Sequence, residues 1–157
     1  MSAARRPPPI ITPSTRVERV HWGAGRSLVV GADAVGVACL SGPVLAAAVV
    51  MPAYGRRIPG VRDSKMLSRL QRERLYPKIR RSAIAVGLGA ASVAEIDRLN
   101  IYHATNLAMR RAICRIEERH HVLIDGLRVY RFEDFVAADA WPGLTRGPLS
   151  RSCGPWS

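Results

Sequence analysis

Leu28-Val29-Val30-Gly31-Ala32-Asp33-Ala34-Val35-Gly36 is the stretch on which the fold turns. A compact apolar run bounded by a turn former fits a buried strand better than a helix. Gly36 ends it. Asp33 stands out, because an ionised carboxylate inside such a strand is costly unless it is paired or bound to a cation.

Working outward, Val44 to Met51 is a second apolar run, closed by Pro52. The turn between the two runs is too short for a crossover, so the sheet cannot be wholly parallel. Residues 56–63 hold Pro59 and Gly60 and read as a loop. The spacing of Leu67, Leu70, Leu75 and Ile79 predicts a helix over 68–81, with most arginines off the apolar face. Ala83 to Ala91 is a third strand, whose small residues suit close backbone packing. Ser92 followed by Glu95 forms a capping box, opening a short helix from Val93 that ends near Asn100. A longer helix runs from about Tyr102 to Arg119, with Ala104, Leu107, Ala108, Ala112 and Ile116 inside. His121 to Asp125 is a fourth strand, ended by Gly126. The order strand, strand, helix, strand, helices, strand predicts a mixed α/β layered domain over residues 27–126.

The flanks differ in character. Residues 1–26 read as a flexible, basic, Pro-rich arm without periodicity. Residues 127–157 show no sustained period and are broken by Pro142, Gly143, Gly147, Pro148, Gly154 and Pro155, so they read as an irregular tail.

Charge narrows the function classes. Among 157 residues, 24 Lys and Arg face 12 Asp and Glu, for a net charge of +12. Only Lys65 and Lys78 are lysine. Arginine forks onto phosphate oxygens with two parallel hydrogen bonds, so a polyanionic partner, nucleic acid first, is expected. Cys39, Cys114 and Cys153 are far apart and make neither a zinc pattern nor a disulfide framework, which fits a cytoplasmic chain. No apolar run is long enough to span a bilayer, and Pro7, Pro8 and Pro9 oppose the apolar helix of a secretory signal.

Asp33 and Asp125 both stand at the ends of apolar strands, where ligand sites of α/β sheets gather. Two such carboxylates can converge on one cation, as in two-metal phosphodiester hydrolysis. Each can also simply cap a turn, and the residues alone leave both readings open.

Longer blocks narrow the choice. Gly31-Ala32-Asp33-Ala34-Val35-Gly36-Val37-Ala38, Ser41-Gly42-Pro43-Val44 and Ala46 to Val50 are followed by Ile58-Pro59-Gly60-Val61-Arg62-Asp63-Ser64-Lys65-Met66-Leu67-Ser68. Then come Ala85-Val86-Gly87, Ala91-Ser92-Val93, Glu95-Ile96-Asp97, Leu99-Asn100-Ile101, Met109 to Ile113, and Leu123-Ile124-Asp125-Gly126. From Leu28 to Gly126 this succession resembles the ribonuclease HII family. The resemblance implies a ribonuclease H-like mixed sheet flanked by helices, with an atypical or incomplete C-terminal part here. It implies an endonuclease that cuts the RNA strand of RNA–DNA hybrids and incises at ribonucleotides embedded in duplex DNA. The enzyme would be a monomer using Mg²⁺ or Mn²⁺ held by four carboxylates.

By position, Asp33 matches the first metal-binding, catalytic carboxylate and Asp125 the third. Gly36, Ser64 and Lys65 match substrate-binding positions. Three positions depart from the family. Ala34 stands where the family has the second carboxylate, a Glu. Val37 and Ala38 replace the Arg and Gly of a Gly-Arg-Gly that reads the ribonucleotide junction. After Gly126 no segment matches the helix bearing the fourth carboxylate; Glu133, Asp134 and Asp139 are acidic, but their surroundings differ. An impaired nuclease is therefore expected, the alternatives being a non-catalytic nucleic-acid-binding relic or a truncated, poorly folding product.

Overall fold

The two apolar runs form the hairpin expected of them. In the computed structural model, which describes residues 13–37 and 42–124, β1 (Val29–Val35) and β2 (Val44–Val50) pair antiparallel, with Val30 opposite Val50 and Val35 opposite Leu45. β3 (Ala85–Ala91) pairs antiparallel with β2, and β4 (His121–Ile124) pairs parallel with β1. The sheet order is β3-β2-β1-β4, so the sheet is mixed, as the short β1–β2 turn requires.

Side chains alternate across a strand, and here one face is covered. Val30 and Ala32 of β1 and Val44, Ala46, Ala48 and Val50 of β2 are buried. They pack against Ala104, Ala108, Met109, Ala112 and Ile113 of α3 (Val93–Cys114), with Ile116 just beyond it. Alanines on both sides let helix and sheet lie close. β3 carries this furthest: a Cβ at Gly87 would strike the Ala112 carbonyl oxygen, and one at Gly89 the Ala108 carbonyl oxygen. The small residues of β3 are thus a packing requirement.

α3 is two helical segments joined at Asn100, whose backbone is non-helical at φ 67°. This is the break expected there, and the Asn100 side chain accepts a hydrogen bond from His103 N at 3.1 Å, capping the second segment. That segment ends at Cys114 rather than near Arg119. The N-terminal capping box forms as expected: Ser92 accepts from Glu95 N, and Glu95 accepts from Ser92 N at 2.8 Å. Glu95 also takes a forked pair from Arg111, at 2.7 and 3.0 Å. The same guanidinium donates to the Ala90 carbonyl. One salt bridge therefore ties both segments of α3 to the end of β3.

Two expectations are corrected. Residues 16–23, read as part of a flexible arm, form α1 (Arg16–Gly23). This stretch lies beyond the prolines, and its last turn is held by contacts distant in sequence. His21 stacks on His121 with ring centroids 3.6 Å apart, and Trp22 lies 5.1 Å from Tyr54. Burial, then the neighbouring His21 and Arg26, hold the His121 imidazole below its ordinary pKa. The apolar face predicted for 68–81 is also weaker than expected. α2 (Arg69–Ser82) buries no residue fully, and Leu70 is exposed. No described helix is long and apolar enough to cross a membrane.

Two outcomes are expected. Gly89→Ala should destabilise the domain by about 1–3 kcal/mol, as overpacking does, read as a lower urea midpoint at unchanged slope. For Glu95, Arg111 and then the Ser92 amide lower the carboxyl pKa from 4.5 to about 2. The stability this contributes is present above 4.5 and is lost as pH falls toward 2. Glu95→Gln should flatten the stability–pH curve across that window and leave its shape near neutrality unchanged.

Candidate functional site

Asp33 lies one step from the end of the core-facing alternation of β1. Ala32 and Ala34 face α3, so Asp33 points to the opposite face of the sheet, which no described helix covers. It was expected in a buried strand; it is exposed. Its neighbours in the sheet row are Ala47 on β2 and Leu88 on β3. Val35, Leu45 and Leu88 share this open face at 66%, 48% and 60% exposure. The Asp33 carboxylate accepts the Ala34 amide N–H at 2.7 Å. Ala34 itself is partly buried and packs against the core.

The parallel register brings the second candidate strand alongside. Ala32 pairs with Ile124, so the chain leaves β4 beside Asp33. Asp125, the next residue, lies outside the described residues, as do Ala38, Gly126 and the tail from 127. Among the described residues no group of three or more His, Cys, Asp and Glu could hold a metal ion. The exposed Asp33 carboxylate is of the hard oxygen type that Mg²⁺ and Mn²⁺ prefer, and no described group completes a cage around it.

Gly36 ends β1 at φ +97°, a conformation that L side chains rarely adopt, and a Cβ there would lie 3.1 Å from the Pro43 carbonyl oxygen. Its role as a turn is thereby fixed. Val37 follows it, exposed.

Ser64 and Lys65 sit in a short 3-10 turn, Ser64–Met66. Asp63 caps that turn by accepting Lys65 N at 2.9 Å. Arg72 of α2 reaches back to the carbonyls of Leu67 at 2.6 Å and Ser64 at 3.3 Å. Both Ser64 and Lys65 are exposed, so a loop held from within presents a hydroxyl and an ammonium to solvent. Among the described residues no hydrogen bond or ion pair joins this turn to Asp33. Sequence reasoning missed Asp63 and Arg72 as its supports. The Asp two residues before Lys65 is the Asx-turn pattern that could have shown the first.

The family model for ribonuclease HII matches residues 30–138. The chain belongs to the ribonuclease HII family. A ribonuclease HII of Thermosynechococcus vestitus is 53% identical over 87% of this chain and 63% of its own length. One from Synechococcus elongatus is 48% identical over 74% of the chain and 57% of its own length, and one from Geobacillus thermodenitrificans is 43% identical over 73% and 44%. The chain thus spans between about two fifths and two thirds of the length of these curated relatives. A crystal structure of Bst-RNase HIII in complex with Mn²⁺ superposes with a TM-score of 0.54 at 20% identity, over 73% of this chain and 42% of that one. This likeness shows the ribonuclease H-like fold expected above. The family match runs past Gly126, where the quoted motifs stop, and takes in Glu133 and Asp134.

The capped turn generates an outcome of its own. Asp63→Ala should speed hydrogen exchange at the Lys65 amide and cost about 1 kcal/mol of stability, the usual worth of such a cap. Asp63→Asn, which can still accept, should restore most of both.

Proposed function

We propose that this chain is a ribonuclease HII-type endonuclease for the RNA strand of RNA–DNA hybrids and for ribonucleotides embedded in duplex DNA, with impaired catalysis. The observation that carries this reading is the pairing of Ala32 with Ile124. Consecutive Cα atoms lie about 3.8 Å apart and neighbouring strands about 4.8 Å apart. Ile124, the residue before Asp125 in sequence, thus lies on the strand next to the one that carries Asp33. Both aspartates would be ligands for Mg²⁺ or Mn²⁺, which would supply Lewis-acid activation of a phosphodiester when bound.

The chain's own residues would do the rest. Exposed Asp33 presents its carboxylate at the strand end. Lys65 and Ser64 offer a charge and a hydroxyl to the substrate backbone from a loop that Asp63 and Arg72 hold in place. Gly36 keeps the approach past the end of β1 free of a side chain.

Impairment follows from position 34. Ala34 carries no donor and packs against the core, and Val37 has no phosphate fork. The same features favour a second reading, a nucleic-acid binder that has lost its chemistry while keeping its +12 charge.

Two measurements separate the readings. Calorimetry with Mn²⁺ should show one weak binding event, abolished by Asp33→Asn and tightened roughly tenfold or more by Ala34→Glu, in line with the loss that removing a single metal-site contact brings. Two tight events in the parent would refute the assignment of Ala34 as a lost ligand. In parallel, a duplex carrying one ribonucleotide should be incised slowly in Mn²⁺, and not at all with EDTA or in Asp33→Asn. Rapid incision would remove the impairment and leave the nuclease; salt-sensitive hybrid binding with no incision would favour the binder.

A further inference from the structure

Three arginines meet at a cavity that the proposed nuclease chemistry does not use. Pro13, Ser14, Thr15, Arg16, Arg19 and Arg57 line an open cavity of about 480 Å³. Arg16 and Arg19 come from one face of α1, three residues apart. Arg57 comes from the connection between β2 and α2. Among the described residues no Asp or Glu lines the cavity; Glu18 lies between two of the arginines in sequence but is not among the lining residues.

The guanidinium groups are oriented by neutral oxygens. Arg57 donates to the Pro13 carbonyl, and Arg19 Nε donates to Thr15 Oγ1 at 3.3 Å. The ion pairs among the described residues are Arg69–Glu73 and Arg111–Glu95, so no described carboxylate neutralises this trio. A guanidinium has five N–H donors in a rigid fork, and the contacts named occupy few of them. Three like charges held around one cavity repel one another unless an anion joins them.

The location argues for an extended anion. β1 begins and β2 ends at the same edge of the fold, with Val30 opposite Val50. α1 leads into that edge and the Arg57 segment leaves from it. Asp33 lies toward the other end of β1, about 10 Å from Val30 at one strand step per residue. A duplex carries one charge per about 1.7 Å of its axis, so a single helix reaching Asp33 also has phosphates to offer toward the end of the sheet where β1 begins.

We infer that Arg16, Arg19 and Arg57 form a second phosphate-binding site that grips the backbone of the duplex away from the scissile position. The inference rests on the nucleic-acid reading above. The site recognises phosphodiester oxygens and ignores base and sugar, so it adds affinity to DNA duplex and RNA–DNA hybrid alike.

The test is fluorescence anisotropy of a labelled DNA duplex and a matching RNA–DNA hybrid, titrated between 50 and 200 mM salt, with the full chain. R16Q/R19Q/R57Q should make the slope of log affinity against log salt shallower by about 3, roughly one per arginine, equally on both duplexes. Each of R16Q and R19Q alone, at exposed positions that anchor no other segment, should remove about one. R16K/R19K/R57K should keep most of the slope, since it keeps the charge. Circular-dichroism melts report whether each variant is folded. An unchanged slope in folded R16Q and R19Q, with tight salt-sensitive binding by the parent, overturns this site and leaves the nucleic-acid reading intact. A parent with no salt-sensitive binding overturns both. Inorganic phosphate at constant ionic strength is the remaining arm. If it saturates the site at low millimolar concentration while the triple variant binds duplex like the parent, the site belongs to a free anion and the backbone assignment falls.

Discussion

The approach of α3 to β3 sets the geometry of everything else. With hydrogen atoms alone at Gly87 and Gly89, the helix backbone at Ala108 and Ala112 rests directly on the strand. A methyl group in either place would lift the helix, and Met109 and Ile116, both fully buried, would lose contacts that a close-packed interior cannot replace. The same approach fixes the path of the chain. α3 crosses from β3 at one edge of the sheet back over β2 and β1, and the chain after it enters the sheet as β4, parallel to β1. The Arg111–Glu95 pair and the Asn100 kink shape this crossing, because they hold the two segments of α3 against the end of β3.

From that crossing follows a sheet with two unlike faces. Helix covers the face of Val30, Ala32, Val44 and Ala46. The opposite face carries Asp33 among exposed Val35, Leu45 and Leu88. Since strand side chains alternate, consecutive residues of β1 are assigned to opposite environments with no further choice. Asp33 is accessible because Ala32 and Ala34 are the residues that pack. The candidate site therefore depends on the register of the hairpin: a slip of one residue would bury the aspartate and expose the alanines.

Much of this was legible in the residues, and the failures have identifiable causes. The hairpin, the break at Asn100 and the Ser92–Glu95 cap follow from local rules, because turn length, an uncommon backbone angle and a capping box act over a few residues. α1 was not legible. Its stability comes from His21 on His121 and Trp22 on Tyr54, contacts that no local pattern encodes. Asp33 was placed in a buried strand because a continuous apolar run suggests burial on both faces. Glycine and alanine dilute that signal: they fill an exposed face without making it polar. The turn at Ser64 and Lys65 was recognised by resemblance, whereas its supports, Asp63 and Arg72, needed coordinates.

The faces of β1 also set what position 34 can carry without disturbing the fold. Position 34 is the last core-facing residue before the strand ends at Val35 and turns at Gly36. A glutamate there would have to run its carboxylate past the strand end to escape the helix-covered side, because burying it unpaired is unfavourable. Alanine meets no such demand, and Ala34 packs against the core directly. The packing that holds the sheet together is thus met in full by the alanine at this position. Asp33, on the opposite face, is free of that pressure, since it is exposed to solvent. The turn that carries Ser64 and Lys65 is likewise held by the Asp63 carboxylate and the Arg72 guanidinium. Helix packing, the capped turn and the exposure of Asp33 therefore all rest on contacts that need no carboxylate at position 34.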